Sequence, residues 1–534
     1  MPASLKKVSF LIFAAIACAL YWPSLSHPVF FDDVSFFNLS GLNTIFLNGF
    51  VATPRWLPYF ITAWVDLICT DGLVVQRIIN VVLHIATAFV LYTLVKQISN
   101  HVTPHPNNNR AAMVAALLFL LHPLAAYAVG YLIQRTILMA TLFGLLALST
   151  YFDGLVTRKK AYFVFSAVFY LLSVFSKEHA ILIPAVAAAL TPLAAPVTRR
   201  TWRQVLLPFS LYAPIAISVL VTNAYNLGRL YEPSAEYLSQ LSFGDINPKL
   251  LWLLSALNQA SLYFDYLLLM IIPNPNWMSI DMRVGFSIDP WQPKYVIGLT
   301  ALLTYGLTAL YWLFKGGRRS LIGFALLSPL LLFVVEFSTV RIQEPFVLYR
   351  AYLWMPLLFV LIPALTNDVA GKYLWPTVLA ISIAFSFSLN NRLASFSSEF
   401  SLWDDAAKKV SDNQVMGVSR IYFNRGFLYL RQGNHRAAIS DLTQVIKLDP
   451  GYLRAYEIRA LAFSKNGNHG LALSDVQMRL RKSPHNANLY ALRGEIYKSA
   501  GNAKKAQADF ERACDMQSIG ACIAIGRKFE SRSF

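Results

Sequence analysis

Charge is scarce in this chain. Of its 534 residues, 14% are Asp, Glu, Lys or Arg and 56% are hydrophobic, with a mean hydropathy of +0.47. Soluble domains carry about 25% charged residues, so this composition excludes an ordinary water-soluble protein. Cysteine is nearly missing too: four in this length offer neither a disulfide framework nor a metal-ligand spacing. No glycine-rich nucleotide loop occurs, and no DxD spacing. Acidic residues number 28 against 46 basic ones, a net charge of +18 that raises the question of nucleic acid. The basic clusters, however, sit in short gaps between apolar runs, where they act as topological anchors, and no nucleic-acid partner is expected. Lys6-Lys7 ahead of an apolar run imitates a signal peptide, yet no small-residue cleavage site follows. Residues 8–23 are therefore expected to stay as a first membrane helix.

The chain is rich in long apolar runs, near 8–23, 74–95, 111–122, 136–152, 161–176, 180–196, 205–222, 295–314, 320–336, 351–365 and 373–389. Some fall short of the roughly 20 residues that cross a bilayer, so their ends must extend into the flanks. Basic clusters occupy alternate gaps: Lys6-Lys7, Lys96 to Arg110, Arg158 to Lys160, Arg199 to Arg203, Lys315 to Arg319, and Lys372. That alternation predicts eleven spans, a cytoplasmic N-terminus and a C-terminus outside, in the periplasm or an equivalent lumen. Two long segments on the outer face, about 24–73 and 223–294, are too apolar for freely solvated loops. Trp56, Trp64, Trp252, Trp277 and Trp291 suggest helices lying in the interface there.

From about residue 400 the sequence turns polar and repeats every 34 residues. Tyr422, Tyr456 and Tyr490 keep that interval, as do Gly426, Ala460 and Gly494, then Tyr429, Phe463 and Tyr497. Ala438, Ala472 and Ala506 follow, with Pro450 and Pro484. Small residues let paired helices approach and aromatics fill the layer between them, which is the tetratricopeptide pattern. The repeats are placed at 419–452, 453–486 and 487–520. Ala513-Cys514 to Ala521-Cys522 also looks like the end of a Sel1-type repeat. Cys514 and Cys522 are either a disulfide across the turn, given an oxidising compartment, or two small buried residues. Arrays of this kind present a concave surface to a protein partner.

The most pointed feature lies at the other end, in His27-Pro28-Val29-Phe30-Phe31-Asp32-Asp33. Two adjacent carboxylates at a membrane surface are costly to place there, so they have work to do. Together with Pro54-Arg55-Trp56-Leu57-Pro58, Gln76 to His84, His122-Pro123, Tyr131 to Arg135, Phe175-Ser176-Lys177-Glu178, Tyr263 to Asp281, Tyr349 to Leu353 and Ser401 to Asp405, this stretch resembles a known family. The chain is similar to the GT-C membrane glycosyltransferases with tetratricopeptide repeats, a group that includes eukaryotic transmembrane-and-tetratricopeptide O-mannosyltransferases and bacterial relatives. Departures are a loose match at Pro54 to Pro58, and His179 where a small residue or Asn is expected.

The resemblance implies an all-α polytopic GT-C domain at 1–395, a linker at 396–418 and a repeat domain at 419–534. It further implies transfer of a sugar from a polyprenyl-phosphate carrier to a Ser/Thr hydroxyl of a secreted or envelope protein, pilins included. The setting would be the outer face of an inner membrane. The family's acidic pair corresponds to Asp32 and Asp33, and one carboxylate would deprotonate the acceptor. The alternative for Asp33 is a helix N-cap before Val34. Exchanging either Asp for Asn is expected to spare folding and abolish modification. Arg135 and Arg350 at span ends, with Lys177, are the candidates to hold the departing phosphate. The two arginines could equally anchor headgroups or pair with Glu336 or Glu344. Arg55, His122, Glu178, His179 and Asp281 are candidate lining residues, and Asp265 a loop acid. Asn80 and His84, one turn apart, are read as helix-packing groups. A divalent metal is compatible with this chemistry but not required by it. The competing readings are a lipid or polysaccharide acceptor with the same donor, and a non-enzymatic scaffold built on the repeats.

Overall fold

A computed structural model describes residues 3–36, 54–69, 71–196, 198–224, 229, 246–342 and 344–527. The described residues are helical throughout, apart from one isolated antiparallel bridge between Met282 and Phe346. The chain divides into two compact units, Met1–Ser398 and Glu399–Phe534.

The first unit begins with α1 (Ala3–Tyr21), α2 (Trp56–Ile68), α3 (Gly72–Val102), α4 (Asn108–Leu120), α5 (Arg135–Thr157) and α6 (Lys160–Ser176). It continues through α7 (Ile183–Ala194), α8 (Arg199–Asn223), α9 (Pro248–Ile271), α10 (Pro293–Leu313), α11 (Gly317–Phe333), α12 (Ala351–Leu358) and α13 (Gly371–Ala394). Seven helical segments among the described residues are long and apolar enough to cross a membrane: Gly72–Val102, Leu132–Thr157, Thr201–Asn223, Pro293–Leu313, Gly317–Phe337, Leu348–Thr366 and Gly371–Ala394. The other four expected runs coincide with the shorter apolar helices Leu11–Ser26, Asn108–Leu120, Lys160–Ser176 and Glu178–Ala194. The structure thus gives seven full-length candidates where the apolar runs predicted eleven spans.

Helix pairs in this unit meet through small residues, as they must where lipid removes most of the hydrophobic drive for association. A Cβ on Gly154 of α5 would stand 2.7 Å from the Phe163 ring of α6. Along the same seam the hydroxyls of Ser166 and Ser173 donate to the carbonyls of Ala147 and Ala140, each at 2.6 Å. The segment 223–294, expected to hold helices around tryptophans such as Trp252, contains the 24-residue α9. The polar residues Ser255, Asn258 and Gln259 of this helix are buried. The amide of Gln259 donates to Pro345 O at 2.7 Å, and the Ser255 hydroxyl accepts from the Arg341 amide at 2.9 Å. Asp265, expected in a loop, belongs to α9 as well.

The two ends of the bundle differ in character. At one end Arg110 donates to the carbonyls of Thr366 and Val369, Asn107 to that of Asn367, and Arg318 pairs with Asp368 at 3.1 Å. At the opposite end of α3, whose 31 residues span about 46 Å, lie Gln76 and Arg77 and the segments around them.

In the second unit, α14 (Glu399–Lys408) falls in the segment expected to be a linker and packs Phe400 on Tyr429. Then come α15 (Val418–Arg431), α16 (His435–Leu448), α17 (Leu453–Lys465), α18 (His469–Lys482), α19 (Ala487–Ser499), α20 (Ala503–Asp515) and α21 (Ile519–Ala524). Gly433, Gly467 and Gly501 turn the chain between paired helices with φ of +79°, +83° and +76°, a conformation that costs any other residue strain. The side chains of Asn434 and Asn502 then accept from Ala437 N and Lys505 N, capping the second helix of their repeats. Cys514 and Cys522 form a disulfide that ties α21 to α20.

The α9–α10 contact gives the first test. A Cβ on Gly298 would lie 2.7 Å from the Ser261 Cα, a backbone atom that cannot swing aside. Gly298→Leu is expected to cost about 1–3 kcal/mol and to lower the melting temperature of the detergent-solubilised protein by several degrees. An unchanged melting temperature would contradict this helix spacing.

Candidate functional site

The strap from His27 to Asp33 is held from three sides. Arg77 donates to the carbonyls of His27 at 2.7 Å, Pro28 at 2.8 Å and Gly130 at 3.0 Å. Phe31 is forced to φ +49°, a left-handed conformation that a bulky residue keeps only when its surroundings impose it. The carboxylate of Asp33 accepts from Ile133 N at 2.8 Å and Leu132 N at 3.1 Å. Asp33 is 1% exposed and does not cap the helix before Val34; its carboxylate takes the first two amides of the Leu132–Thr157 segment and anchors the strap there. Burial pushes its carboxyl up to about 7, opposed by the two amides and Arg77.

With Asp33 turned inward, Asp32 opens into a cavity of about 480 Å³. Its backbone amide donates to the Tyr131 hydroxyl at 3.2 Å. Arg55, Lys177, His179 and Arg350 share this cavity, together with Phe36, Tyr59, Ile133, Gln134, Thr136, Glu344 and Tyr349. Segments far apart in sequence thus bring carboxylates, cations and aromatic faces to one place.

The cations are held differently. Arg55, itself at φ +66°, forms a two-bond pair with Glu178, with Nε donating to Oε2 at 3.0 Å. Arg350 pairs with Glu336 at 2.9 Å, and Arg341 meets the same Glu336 oxygen at 2.8 Å. Lys177 has only neutral partners among the described residues. Its ammonium donates to Gln134 Oε1 at 3.2 Å and Thr136 Oγ1 at 3.4 Å, and lies 5.2 Å from the centre of the Tyr349 ring. Burial, reinforced by Arg55 and Arg350, pushes this ammonium down to about 7.

Other sequence candidates lie elsewhere. Arg135 is 1% exposed and gives four of its five N–H groups to Asn80 Oδ1 at 3.0 Å, Thr62 Oγ1 at 2.8 Å, Gln76 O at 2.7 Å and Gln76 Oε1. It knits α2, α3 and α5 together and does not line the cavity, a correction to its expected phosphate role. His122 is fully buried, in contact with Met270 O at 3.1 Å, and lines no part of the cavity either. Asp281 pairs with Arg283 at 2.7 Å, outside the lining. Asn80 and His84 are packing groups: His84 contacts Tyr352 Oη at 2.7 Å and Leu120 O at 3.0 Å. Tyr59 and Thr136 were missed by sequence reasoning, Gln134 and Tyr349 lay in matching stretches without a role of their own, and Glu344 was named only as an ion-pair partner. Gln134 and Thr136 flank Arg135, and only their position beside an inward-facing residue distinguishes them.

A second, apolar cavity of about 240 Å³ shares His179 with the first. Ile181, Leu182, Val219, Leu220, Val334 and Val335 supply its greasy walls.

In the second unit the repeat period carries an ion-pair ladder. Arg425–Asp441, Arg459–Asp475 and Arg493–Asp509 are each two-bond pairs at 2.7–2.9 Å between the two helices of one repeat. These six residues also keep the 34-residue interval, a signal available in the sequence beside the tyrosines and glycines. Family models described as tetratricopeptide repeat match residues 419–452 and 487–518. The second unit carries tetratricopeptide repeats. No curated protein matches the chain. The two matched tetratricopeptide segments flank 453–486, whose helices α17 and α18 carry the same ladder pair and the same Gly turn. Such repeats point to a protein partner, and the apolar helices to membrane association.

Two tests follow from the cavity. Asp33→Asn replaces an acceptor of two buried amides by a group with one acceptor and an unwanted donor. It is expected to cost about 1–3 kcal/mol of stability, whereas Asp32→Asn leaves the melting temperature unchanged; this revises the expectation that both spare the fold. Equal melting temperatures for the two variants would contradict the anchoring role of Asp33. For Lys177, protonation gains as pH falls through about 7. Affinity for a fixed-charge anion, a farnesyl methyl phosphodiester in detergent micelles, should rise over that interval and show no such step in Lys177→Met. The sign for stability is the reverse: the depressed ammonium contributes in full above its ordinary value, and that contribution is lost as pH falls through about 7.

Proposed function

We propose that this protein is a membrane glycosyltransferase that takes a sugar from a polyprenyl-phosphate carrier and places it on a hydroxyl of a protein acceptor recruited by the repeats. The observation that carries the reading is a cavity whose lining combines Asp32 with Lys177, Arg55 and Arg350, beside an apolar cavity. A phosphate and a lipid chain need that combination of neighbours.

In this reading Asp32 accepts the proton of a Ser or Thr hydroxyl as its oxygen attacks the anomeric carbon. The bond between that carbon and the phosphate oxygen breaks, and the electron pair leaves on the phosphate. Lys177, with Arg350 and Arg55 behind it, stabilises the charge that appears there. Lysine suits the role because it is already desolvated and makes only weak contacts to neutral groups, so a phosphate displaces no strong partner. Phe36, Tyr59 and Tyr349 offer faces for a sugar ring. Asp33 takes no part in proton transfer; it fixes where Asp32 points.

The paired Cys514 and Cys522 favour an oxidising compartment for the repeats, and the basic gaps favour the same outward side for the cavity. Both support an inner-membrane protein with a cytoplasmic N-terminus and with its cavity and repeats in the periplasm. The sugar and the acceptor are for experiment to name.

The test compares intact masses and glycopeptides of secreted and envelope proteins, pilins included, from cells carrying wild type or Asp32→Asn. Loss of a sugar-sized mass from a Ser/Thr peptide, with normal levels of the variant, is the expected result. Unchanged protein masses with altered envelope glycans would move the acceptor to lipid or polysaccharide. No change in either would leave the scaffold reading.

A further inference from the structure

His179 stands where the family resemblance leads one to expect a small residue or Asn, and the structure places its ring between two carboxylates. Nδ1 lies 3.4 Å from Oε1 of Glu178, and Nε2 lies 3.4 Å from Oε1 of Glu336. Glu178 holds Arg55, while the other oxygen of Glu336 holds Arg341 and Arg350. One chain of charges therefore runs from Arg55 to Arg350, two of the cations of the cavity, and His179 is its middle link.

The chemistry of the ring selects its charge state. A neutral imidazole has one N–H and one lone pair, so one nitrogen would turn its lone pair toward a carboxylate oxygen. Only the imidazolium presents a proton to both. The side chain is 3% exposed, so water is not a substitute partner. Both contacts are longer than an aligned N–H···O bond, and the ring is held by charge more than by direction. The same ring also walls off the apolar cavity.

We infer that His179 is a positioning residue: its imidazolium occupies the two carboxylates so that the guanidinium groups of Arg55 and Arg350 face an anion in the cavity. The inference rests on the reading of that cavity as the phosphate end of a lipid-linked donor. Without a cation at this position, Glu178 and Glu336 have only the arginines in direct contact to neutralise them, with Lys177 at longer range. Each guanidinium is then drawn further onto its carboxylate, and its field at the ligand weakens. His179 thus acts on affinity for the phosphate through its neighbours, without touching the ligand's reacting atoms.

The experiment uses the full-length protein in detergent and titrates a farnesyl methyl phosphodiester, with farnesol as the uncharged control. His179→Gln keeps the bulk of the ring and removes its charge, and is expected to weaken diester binding about tenfold, well beyond any change in farnesol binding. His179→Arg restores a cation able to face both carboxylates and is expected to recover affinity to within about threefold of wild type. A role in packing alone would favour Gln over the larger Arg, so the order of the two variants discriminates. If Gln abolishes folding, His179→Met against His179→Lys repeats the neutral-versus-charged contrast. In the transfer assay the neutral variant should raise KM more than it lowers kcat. Diester binding by His179→Gln equal to wild type, or no recovery with Arg, overturns the inference while leaving the donor reading in place. A wild type that binds diester and farnesol alike overturns both.

Discussion

Asp33 gives both carboxylate oxygens to the amides of Leu132 and Ile133, about a hundred residues along the chain, and the geometry of the cavity is organised around that attachment. Neighbouring side chains in a short helical turn diverge. Once one carboxylate is committed to the protein interior, the other is delivered to the opposite side. The strained Phe31 and the three carbonyls gathered by Arg77 keep the strap from relaxing. The acidic pair is thus two residues in separate settings: one is a buried structural peg, the other lines the cavity.

A similar division runs through the cations. Burying a positive charge near hydrocarbon is unfavourable unless partners surround it. Arg135 meets that demand with four hydrogen bonds to neutral groups and lies outside the cavity lining. Arg55 and Arg350 meet it with carboxylates yet keep a face on the cavity. Lys177 meets it weakly, with an amide, a hydroxyl and an aromatic face. The strength of the internal partners falls from the two arginines to Lys177, and it is set by what the neighbours supply rather than by the number of positive charges present.

This ordering explains what could be read from the sequence. The repeats were legible because a period of 34 is a one-dimensional signal, and the Gly turns and Asn caps follow it. The Asp pair was legible as a costly feature at a membrane surface. Which Asp faces the cavity was not, because the deciding partners, Leu132 and Ile133, lie in another segment. Arg135 and Lys177 look alike as isolated basic residues at span ends. Only the environment supplied by Asn80, Thr62 and Gln76 tells them apart. Trp252 marked a helix in 223–294, but the reach of α9 to Asp265 and the burial of its Ser255, Asn258 and Gln259 were not legible, because their partners Arg341 and Pro345 lie in another segment. Spans shorter than a bilayer were counted with full-length ones because apolar composition alone does not fix a helix's ends.

The ladder of arginine and aspartate in the repeats has a consequence for how this half of the molecule can change over evolutionary time. Each pair joins the two helices of a single unit, and the contacts that leave the unit are additions to it: Arg425 also reaches Asp404 of α14, and Arg459 the Thr443 hydroxyl of the preceding unit. Duplicating or deleting one whole unit would therefore leave every two-bond ladder pair intact. The gene can lengthen or shorten the array in steps of 34 residues at little electrostatic penalty, so the reach of its surface can adapt to a new partner while the architecture of each unit stays the same.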